Sequence, residues 1–144
     1  MSNMPRFSTI IITRDRPEML CRCIDSLLAQ DYPEQEIIVA DSSADDSTEN
    51  ALREYPNVKF IRVTDADNNM PKSRNAGLTL ATGEWVAFID DDATAHPGWL
   101  RNLADCFEDP DVAGAGGRVV EMNRENTVVN EGDEVGRVYP DGGH

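Results

Sequence analysis

The chain has 144 residues, enough for one domain that buries a core without disulfides or metal staples. Its 40% hydrophobic and 28% charged residues are typical of a globular protein rather than a disordered or fibrous one. Twenty-seven acidic residues against 13 Lys and Arg give a formal net charge of −14. Such a surface repels phosphate backbones and anionic headgroups, which argues against general binding to nucleic acid or to membranes.

Predicted strands and helices alternate from the start of the chain. Residues 7–13 are apolar and β-branched and predict a buried strand, and a helix with one apolar stripe is predicted to begin at Pro17. Further strands are predicted at 37–40, 58–63 and 85–89 and from Val112, with helices after Asp46, after Pro97 and in a segment ending near Gly83. The run 85–89 is apolar throughout and is predicted to be a buried strand. This alternation predicts an α/β fold with a mostly parallel sheet flanked by helices.

The cysteines and the N-terminal residues bear on location. Cys21 and Cys23 are two apart on a predicted helix and so face different ways, and Cys106 stands alone, which favours free thiols in a reducing cytoplasm. The N-terminal apolar run 10–12 is too short for a signal peptide or a membrane span. We therefore predict a cytoplasmic protein, with association to the inner face of a membrane left open.

Three polar clusters follow predicted strands, at 13–16, 41–46 and 90–92. Ligands of open α/β sheets bind beyond the carboxyl ends of the strands, so we expect these clusters to meet there. Asp90, Asp91 and Asp92 offer oxygen ligands for a hard cation such as Mg²⁺ or Mn²⁺. A solvated acidic loop, or acids that favour the start of the next helix, is the plainer interpretation of the triplet.

Basic, glycine and histidine residues give weaker signals. Lys72 and Arg74, near a predicted helix start, are candidates for binding phosphate. Exposed surface charges on a turn would give the same sequence pattern. Residues 114–117 (GAGG) lack a dinucleotide fingerprint and predict a strand end with close backbone packing. His96 has no nearby His or Cys partner and is interpreted as a surface or capping residue.

Four motifs occur in one order: TIIITRDRP (9–17), IVADSSADDST (38–48), KSRNAG (72–77) and GEWVAFIDDD (83–92). This succession resembles the N-terminal half of family 2 glycosyltransferases of the GT-A fold. The resemblance implies transfer of a sugar, with inversion, from a nucleotide-diphosphate donor. It also implies that residues 1–120 are the nucleotide-sugar-binding half of a GT-A domain and that 121–144 begin an incomplete acceptor half.

The resemblance also implies roles for single residues. Thr13 and Asp41 would lie beside base and ribose, Asp90 near the ribose, and Asp92 would hold the metal. The full implied set for nucleotide-sugar binding is Thr13, Arg14, Asp15, Arg16, Asp41, Ser43, Lys72, Arg74, Asn75, Asp90 and Asp91, with Asp92 and Asp90 as metal ligands. Arg14 and Asp15 replace the aromatic residue and Asn common in the family, which leaves the base preference open.

No segment matches the family's general base, which lies in a later part near a Glu-Asp pair. We therefore expect this chain alone to transfer no sugar at a useful rate to an acceptor, whether a saccharide, a lipid-linked saccharide or a polymer. An uncovered sheet would also favour self-association. Two alternatives remain: a non-catalytic nucleotide-binding module, and a haloacid dehalogenase-like phosphatase that uses Asp90, Asp92 and Thr94. The phosphatase needs a downstream lysine, and none follows Lys72.

Overall fold

The computed structural model describes residues 4–66, 69–116, 120–122, 128–131 and 136–138. The chain divides into two compact units, Met1–Gly98 and Trp99–His144. The elements of the first unit are β1 (Phe7–Thr13), α1 (Pro17–Leu28), β2 (Gln35–Asp41), α2 (Ser47–Ala51) with a 3₁₀ turn (Leu52–Glu54), β3 (Lys59–Arg62), α3 (Met70–Leu78) and β4 (Trp85–Asp90). The predicted alternation of strands and helices is confirmed in this unit.

The four strands form one parallel sheet in the order β3-β2-β1-β4. In its register Thr13 pairs with Asp41 of β2, and Ile12 pairs with Asp90 of β4. The carboxyl ends of the strands therefore meet at one edge, as parallel pairing requires. This register brings the acidic ends of β2 and β4 to either side of the end of β1.

The core lies between the sheet and its helices. Leu20, Cys23, Ile24 and Leu27 of α1 are completely buried, which confirms the centre of the predicted stripe, and Cys21 on another face is partly exposed. The predicted stripe also included Met19 and Leu28, and it is wrong there, since these side chains are 39% and 56% exposed. Helix α3 packs on β1 and β2. A Cβ at Gly77 would lie 2.7 Å from Ile10 Cγ2, so only glycine permits this close approach.

Two expectations about the segment around β4 are wrong. The apolar run was expected to be a buried strand, yet Val86 is 36% and Phe88 45% exposed. In the described sheet β4 is the last strand, and one of its faces reaches solvent. Helix α3 ends at Leu78 with Thr79 as its C-cap, not near Gly83. Gly83 serves instead as a close contact, because a Cβ there would lie 2.7 Å from Arg6 O and Ser8 N.

A buried carboxylate joins all four strands at the opposite, amino edge of the sheet. Glu36 Oε1 of β2 accepts hydrogen bonds from Ser8 Oγ of β1 at 2.6 Å and from Thr82, just before β4, at 2.6 Å (N) and 2.9 Å (Oγ1). Glu36 Oε2 lies 2.7 Å from Lys59 Nζ at the start of β3. Burial by itself raises the pKa of Glu36, but the bonds from Lys59, Ser8 and Thr82 outweigh it and lower the pKa to about 2.

The second unit contains α4 (Trp99–Cys106), β5 (Gly114–Gly116), β6 (Val120–Met122), β7 (Val128–Glu131) and β8 (Gly136–Val138). Strands β5 and β8, and β6 and β7, pair antiparallel. The sequence predicted no regular element after Glu121, because strands of three or four residues carry too little periodicity to detect. Gly116 lies in a strand, but a Cβ there would meet nothing within 4 Å, so close packing is wrong at this residue; Gly117 lies outside the described residues.

No helix in the described part of the chain combines the length and the apolar character that a transmembrane helix needs.

Candidate active site

A cleft of about 380 Å³ opens where β1 and β4 end. Its walls come from the loop after β1, the end of β4 and the first turn of α3. The lining residues are Ile12, Thr13, Arg14, Asp15, Arg16, Ser42, Ala66, Asn69, Met70, Ser73, Asp90, Asp91 and Asp92. The structure thus brings together seven of the predicted site residues: Thr13, Arg14, Asp15, Arg16, Asp90, Asp91 and Asp92.

The three acids after β4 do not share one environment. Asp91 is 5% exposed, and its Oδ2 accepts a hydrogen bond from Thr13 Oγ1 at 2.9 Å. Asp90 and Asp92 on either side are exposed. Burial raises the pKa of Asp91, against the hydrogen bond from Thr13 and the positive charge of Arg16. The middle acid therefore fixes the turn onto β1, while the outer two are exposed to a ligand in the cleft.

The oxygen atoms that this turn offers determine which cations it can bind. Asp90 and Asp92 offer exposed carboxylate oxygens on the cleft wall, the ligand type that Mg²⁺ and Mn²⁺ prefer. In the described part of the chain no three His, Cys, Asp or Glu residues are grouped to form a complete cage. A hard cation that takes one or two carboxylates and completes its shell with water and phosphate oxygens still fits these residues.

Arg16, which also lines the cleft, lies close to Asp91 and Asp92. Its Nη1 lies 3.6 Å from Asp91 Oδ1 and 3.7 Å from Asp92 Oδ2. The guanidinium side chain is half exposed, so these contacts are weak ion pairs that a stronger anion can replace. Arg14 also lines the cleft, so two cations stand at the mouth of an otherwise acidic pocket.

In the cluster after β2, Asp41 and Ser43 are buried, whereas residues 44–46 are exposed. Asp41 has no exposed surface, and its Oδ1 accepts hydrogen bonds from Ser43 N, at 3.0 Å, and from Ser43 Oγ. Asp41 Oδ2 receives no hydrogen bond from the described residues and lies 3.9 Å from Arg62 Nη2. Neither Asp41 nor Ser43 lines the cleft; Ser42 between them does.

Arg62, at the end of β3, is a site-adjacent cation that the sequence analysis missed. Its Nη2 lies 3.1 Å from Asp46 Oδ1 and 3.7 Å from Glu49 Oε2, and it donates a hydrogen bond to Asp45 O at 3.0 Å. Arg62 pairs with Asp41 in the sheet register, so its position offsets the charge of the buried acid. The sequence analysis predicted no register between β2 and β3, and the pairing of Arg62 with Asp41 was the signal that it lacked.

The predicted basic segment lies elsewhere. Lys72 Nζ donates hydrogen bonds to Thr64 O at 2.8 Å and to Asp65 O at 3.2 Å, and so fastens the loop before α3. The Arg74 guanidinium lies 5.8 Å from the centroid of the Phe88 ring, and Asn75 is exposed. In this structure none of these three residues lines the cleft.

The first turn of α3 takes the place expected for the basic segment. Asn69, Met70 and Ser73 line the cleft, and Asn69 Oδ1 caps the helix by accepting a hydrogen bond from Lys72 N at 3.1 Å. The sequence analysis placed a helix start near the binding site but did not predict that Ser73 lines the cleft. The spacing of Asn69 and Ser73 by four residues on one helix face is the signal that identifies them.

His96 is a surface residue, as predicted. It is exposed, and its Nδ1 accepts a hydrogen bond from Gly98 N at 3.2 Å just before α4.

Comparison with known proteins adds a family and a fold. The sequence matches the family described as Glycosyl transferase family 2 over residues 8–140. Glucosyl-dolichyl phosphate glucuronosyltransferase of Haloferax volcanii is 31% identical over 120 residues, which cover 80% of this chain and 38% of that protein. GalNAc(5)-diNAcBac-PP-undecaprenol beta-1,3-glucosyltransferase of Campylobacter jejuni is 33% identical over 104 residues, which cover 69% of this chain and 34% of that protein.

Solved structures give the same result. The mannosyltransferase PcManGT from Pyrobaculum calidifontis, in complex with GDP-Man and Mn²⁺, matches with a TM-score of 0.63 and 28% identity over 83% of this chain and 37% of that one. Residues 1–349 of S. aureus TarS in complex with UDP match with a TM-score of 0.68 and 26% identity over 87% and 38%. The predicted GT-A-type fold is confirmed, and the chain spans less than half the length of these relatives.

Proposed function

Because the chain belongs to glycosyl transferase family 2, we propose that its cleft binds a nucleotide-diphosphate sugar through Mg²⁺ or Mn²⁺ and serves transfer of that sugar with inversion. The observation that carries the proposal is the pair of exposed acids, Asp90 and Asp92, at one wall of a cleft that also presents Arg14 and Arg16. Acids alone would repel a diphosphate, and arginines alone would give no place for a cation.

We assign the cation, the diphosphate and the nucleoside of the donor to different residues of the site. Asp92, with Asp90, would hold the cation, and Arg14 and Arg16 would face the diphosphate with charge-assisted hydrogen bonds. Thr13, which lines the cleft at the end of β1, would lie beside the nucleoside part. We assign Asp41 Oδ2, which receives no hydrogen bond from the described residues, to the base or ribose. Asp41 is fully buried in this structure, so that contact requires Oδ2 to become accessible while Oδ1 keeps its hydrogen bonds from Ser43.

The same arrangement suits breakage of the sugar–phosphate bond. As the bond between the anomeric carbon and the diphosphate oxygen breaks, its electron pair goes to the diphosphate, and the acceptor oxygen bonds the carbon from the opposite face. When bound, the cation would supply the Lewis-acid charge that stabilises this leaving group. Arg14 and Arg16 add positive charge on the same side, and a general base takes the acceptor's proton.

Two likenesses support the donor class. The Pyrobaculum structure was solved with GDP-Man and Mn²⁺, and the TarS structure with UDP. Membership in the family also displaces the phosphatase alternative for Asp90 and Asp92. The free thiols of Cys21, Cys23 and Cys106 suit a reducing compartment, and we extend the proposal to a cytoplasmic site of action.

Titration calorimetry tests the donor site directly. We expect UDP, GDP or dTDP to bind the 144-residue chain with Mn²⁺ present, and we expect EDTA to weaken binding by about tenfold or more, the equivalent of one lost charge-assisted contact. Equal binding with and without Mn²⁺ would contradict the cation assignment. No binding of any of the three nucleotides would contradict the donor site itself.

We further propose that the 144-residue chain binds donor without transferring its sugar at a useful rate. No segment of it matches the family's general base, and general-base catalysis typically supplies about 10²–10⁴-fold in rate. The assay compares this chain with a chimera that carries a relative's C-terminal part, using saccharide and lipid-linked acceptors. Equal turnover by the two proteins would show that a base lies within these residues. Sedimentation of the 144-residue chain tests the self-association that the sequence analysis expects.

A further inference from the structure

The Ser43 hydroxyl has no hydrogen-bonding capacity left. Ser43 Oγ donates its single proton to Asp41 Oδ1 and accepts a hydrogen bond from Asp15 N at 2.8 Å. Thr48 Oγ1 lies 3.1 Å away, and because the Ser43 proton is already used, Thr48 is the donor in that pair. A hydroxyl has one donor and two acceptor positions, so all three are filled. Ser43 is also 8% exposed. It therefore has nothing to offer a nucleotide directly.

What the hydroxyl holds is the loop after β1. Asp15 has a positive φ of 55°, a conformation that costs a non-glycine residue free energy unless its surroundings fix it. Two hydrogen bonds do so: Ser43 Oγ accepts from Asp15 N, and Asp15 Oδ1 accepts from Ala44 N at 3.2 Å. These bonds tie residues 13–16 to residues 41–44 across the strand ends.

The held residue sits between the two cations of the cleft. Arg14 and Arg16 flank Asp15, and both line the cleft. Arg16 Nη1 reaches Asp91 and Asp92 at 3.6 Å and 3.7 Å. Any change in the backbone at Asp15 therefore moves the point from which the Arg16 side chain starts.

We propose that Ser43 is a positioning residue. Its hydroxyl, oriented by the buried Asp41 carboxylate, accepts the hydrogen bond from the Asp15 amide and so holds Arg16 at the cleft for the diphosphate. We call this Ser43–Asp15 contact the latch. The inference rests on the proposed donor site. It assigns Asp41 a second task, which is to direct the Ser43 proton away from Asp15 and leave an acceptor for the Asp15 amide.

Amide exchange and calorimetry on the full 144-residue chain test the latch. In wild-type protein we expect the Asp15 amide to be protected, and in Ser43→Ala to exchange about tenfold faster or more, because its acceptor is gone. We expect Ser43→Ala to weaken Mn²⁺-dependent binding of UDP or GDP, whichever binds tighter, by about three- to tenfold. Ser43→Thr, which keeps the hydroxyl, should restore both values.

Two controls separate positioning from loss of stability. Thr48→Val removes the opposite bond to the same hydroxyl and leaves the Asp15 contact, so we expect a stability loss without faster Asp15 exchange. Ser47→Ala removes a hydroxyl bonded to Asp45 in the same loop and should change neither value. In an Arg16→Ala background, Ser43→Ala should weaken binding no further, because coupled residues are non-additive.

The outcomes distinguish the latch from the donor site. Wild-type affinity in a folded Ser43→Ala variant, or effects that add to those of Arg16→Ala, would overturn the latch and leave the donor site standing. An unprotected Asp15 amide in wild-type protein would overturn it even if Ser43→Ala does not fold. If wild-type protein binds no nucleotide, the proposed function fails, and Asp15 exchange alone decides whether the loop is latched.

Discussion

Replacing Glu36 by Gln is expected to lower the free energy of unfolding by about 2–3 kcal/mol at neutral pH. The carboxylate holds the amino ends of all four strands, and its pKa is lowered to about 2 against an unfolded value of 4.5. Gln retains the shape and one acceptor but loses the charge that pairs with Lys59. The expected loss is smaller than the free energy that corresponds to the full pKa shift. The reason is that the Lys59 side chain is 41% exposed, so solvent screens its charge.

The sign of the pH dependence makes the prediction specific. Because the pKa of Glu36 is lower in the folded state, its stabilisation is fully present above pH 4.5 and is lost as the pH falls towards 2. Urea unfolding at several pH values should therefore show the difference between wild type and Glu36→Gln shrinking below pH 4.5. Glu34→Gln, an exposed acid two residues away, serves as the control and should stay within about 0.5 kcal/mol of wild type. A constant difference between pH 7 and pH 3 would contradict the charge argument.

The fold of the first unit was predictable where pattern alone decides it. Residues 7–13 were predictable from a continuous apolar, β-branched run, as a strand buried on both faces requires, and the stripe of α1 from its three- and four-residue spacing. The exposed face of β4 was not predictable, since an apolar run does not reveal which of its faces is covered. The end of α3 was missed because Gly83 suits a C-cap equally well as a close contact with β1.

The candidate site divides in the same way. Parallel topology was sufficient to predict that the loops after β1 and β4 would share a cleft, since carboxyl ends must meet. It could not predict that Asp91 would be buried against Thr13 between two exposed acids, because successive side chains after a strand take directions set by the turn. Nor could it predict Lys72 bound to two backbone carbonyls, which depends on the loop at Thr64 and Asp65.

The largest expected effect on binding is that of Asp92→Asn. Asp92 is one of the two exposed carboxylates in the triplet that ends β4 at the cleft, and removing its charge leaves Asp90 as the other exposed acid of the triplet. Loss of such a ligand should cost at least as much as one charge-assisted hydrogen bond, or about 10- to 100-fold in the Mn²⁺-dependent affinity for nucleotide. We expect the variant in Mn²⁺ to bind nucleotide as weakly as wild type does in EDTA.

Calorimetry with nucleotide, together with electron paramagnetic resonance of bound Mn²⁺, checks this expectation. Glu84→Gln removes the same charge just before the opposite end of β4, where it faces no part of the cleft, and should leave both signals unchanged. The chain has a net charge of −14, so losing any one acid could weaken its attraction for cations. Glu84→Gln changes the net charge by the same amount as Asp92→Asn and therefore measures this general effect. If Asp92→Asn keeps the full Mn²⁺ enhancement while Glu84→Gln behaves as wild type, the cation is held elsewhere and Asp92 contributes only to the Arg16 ion pair.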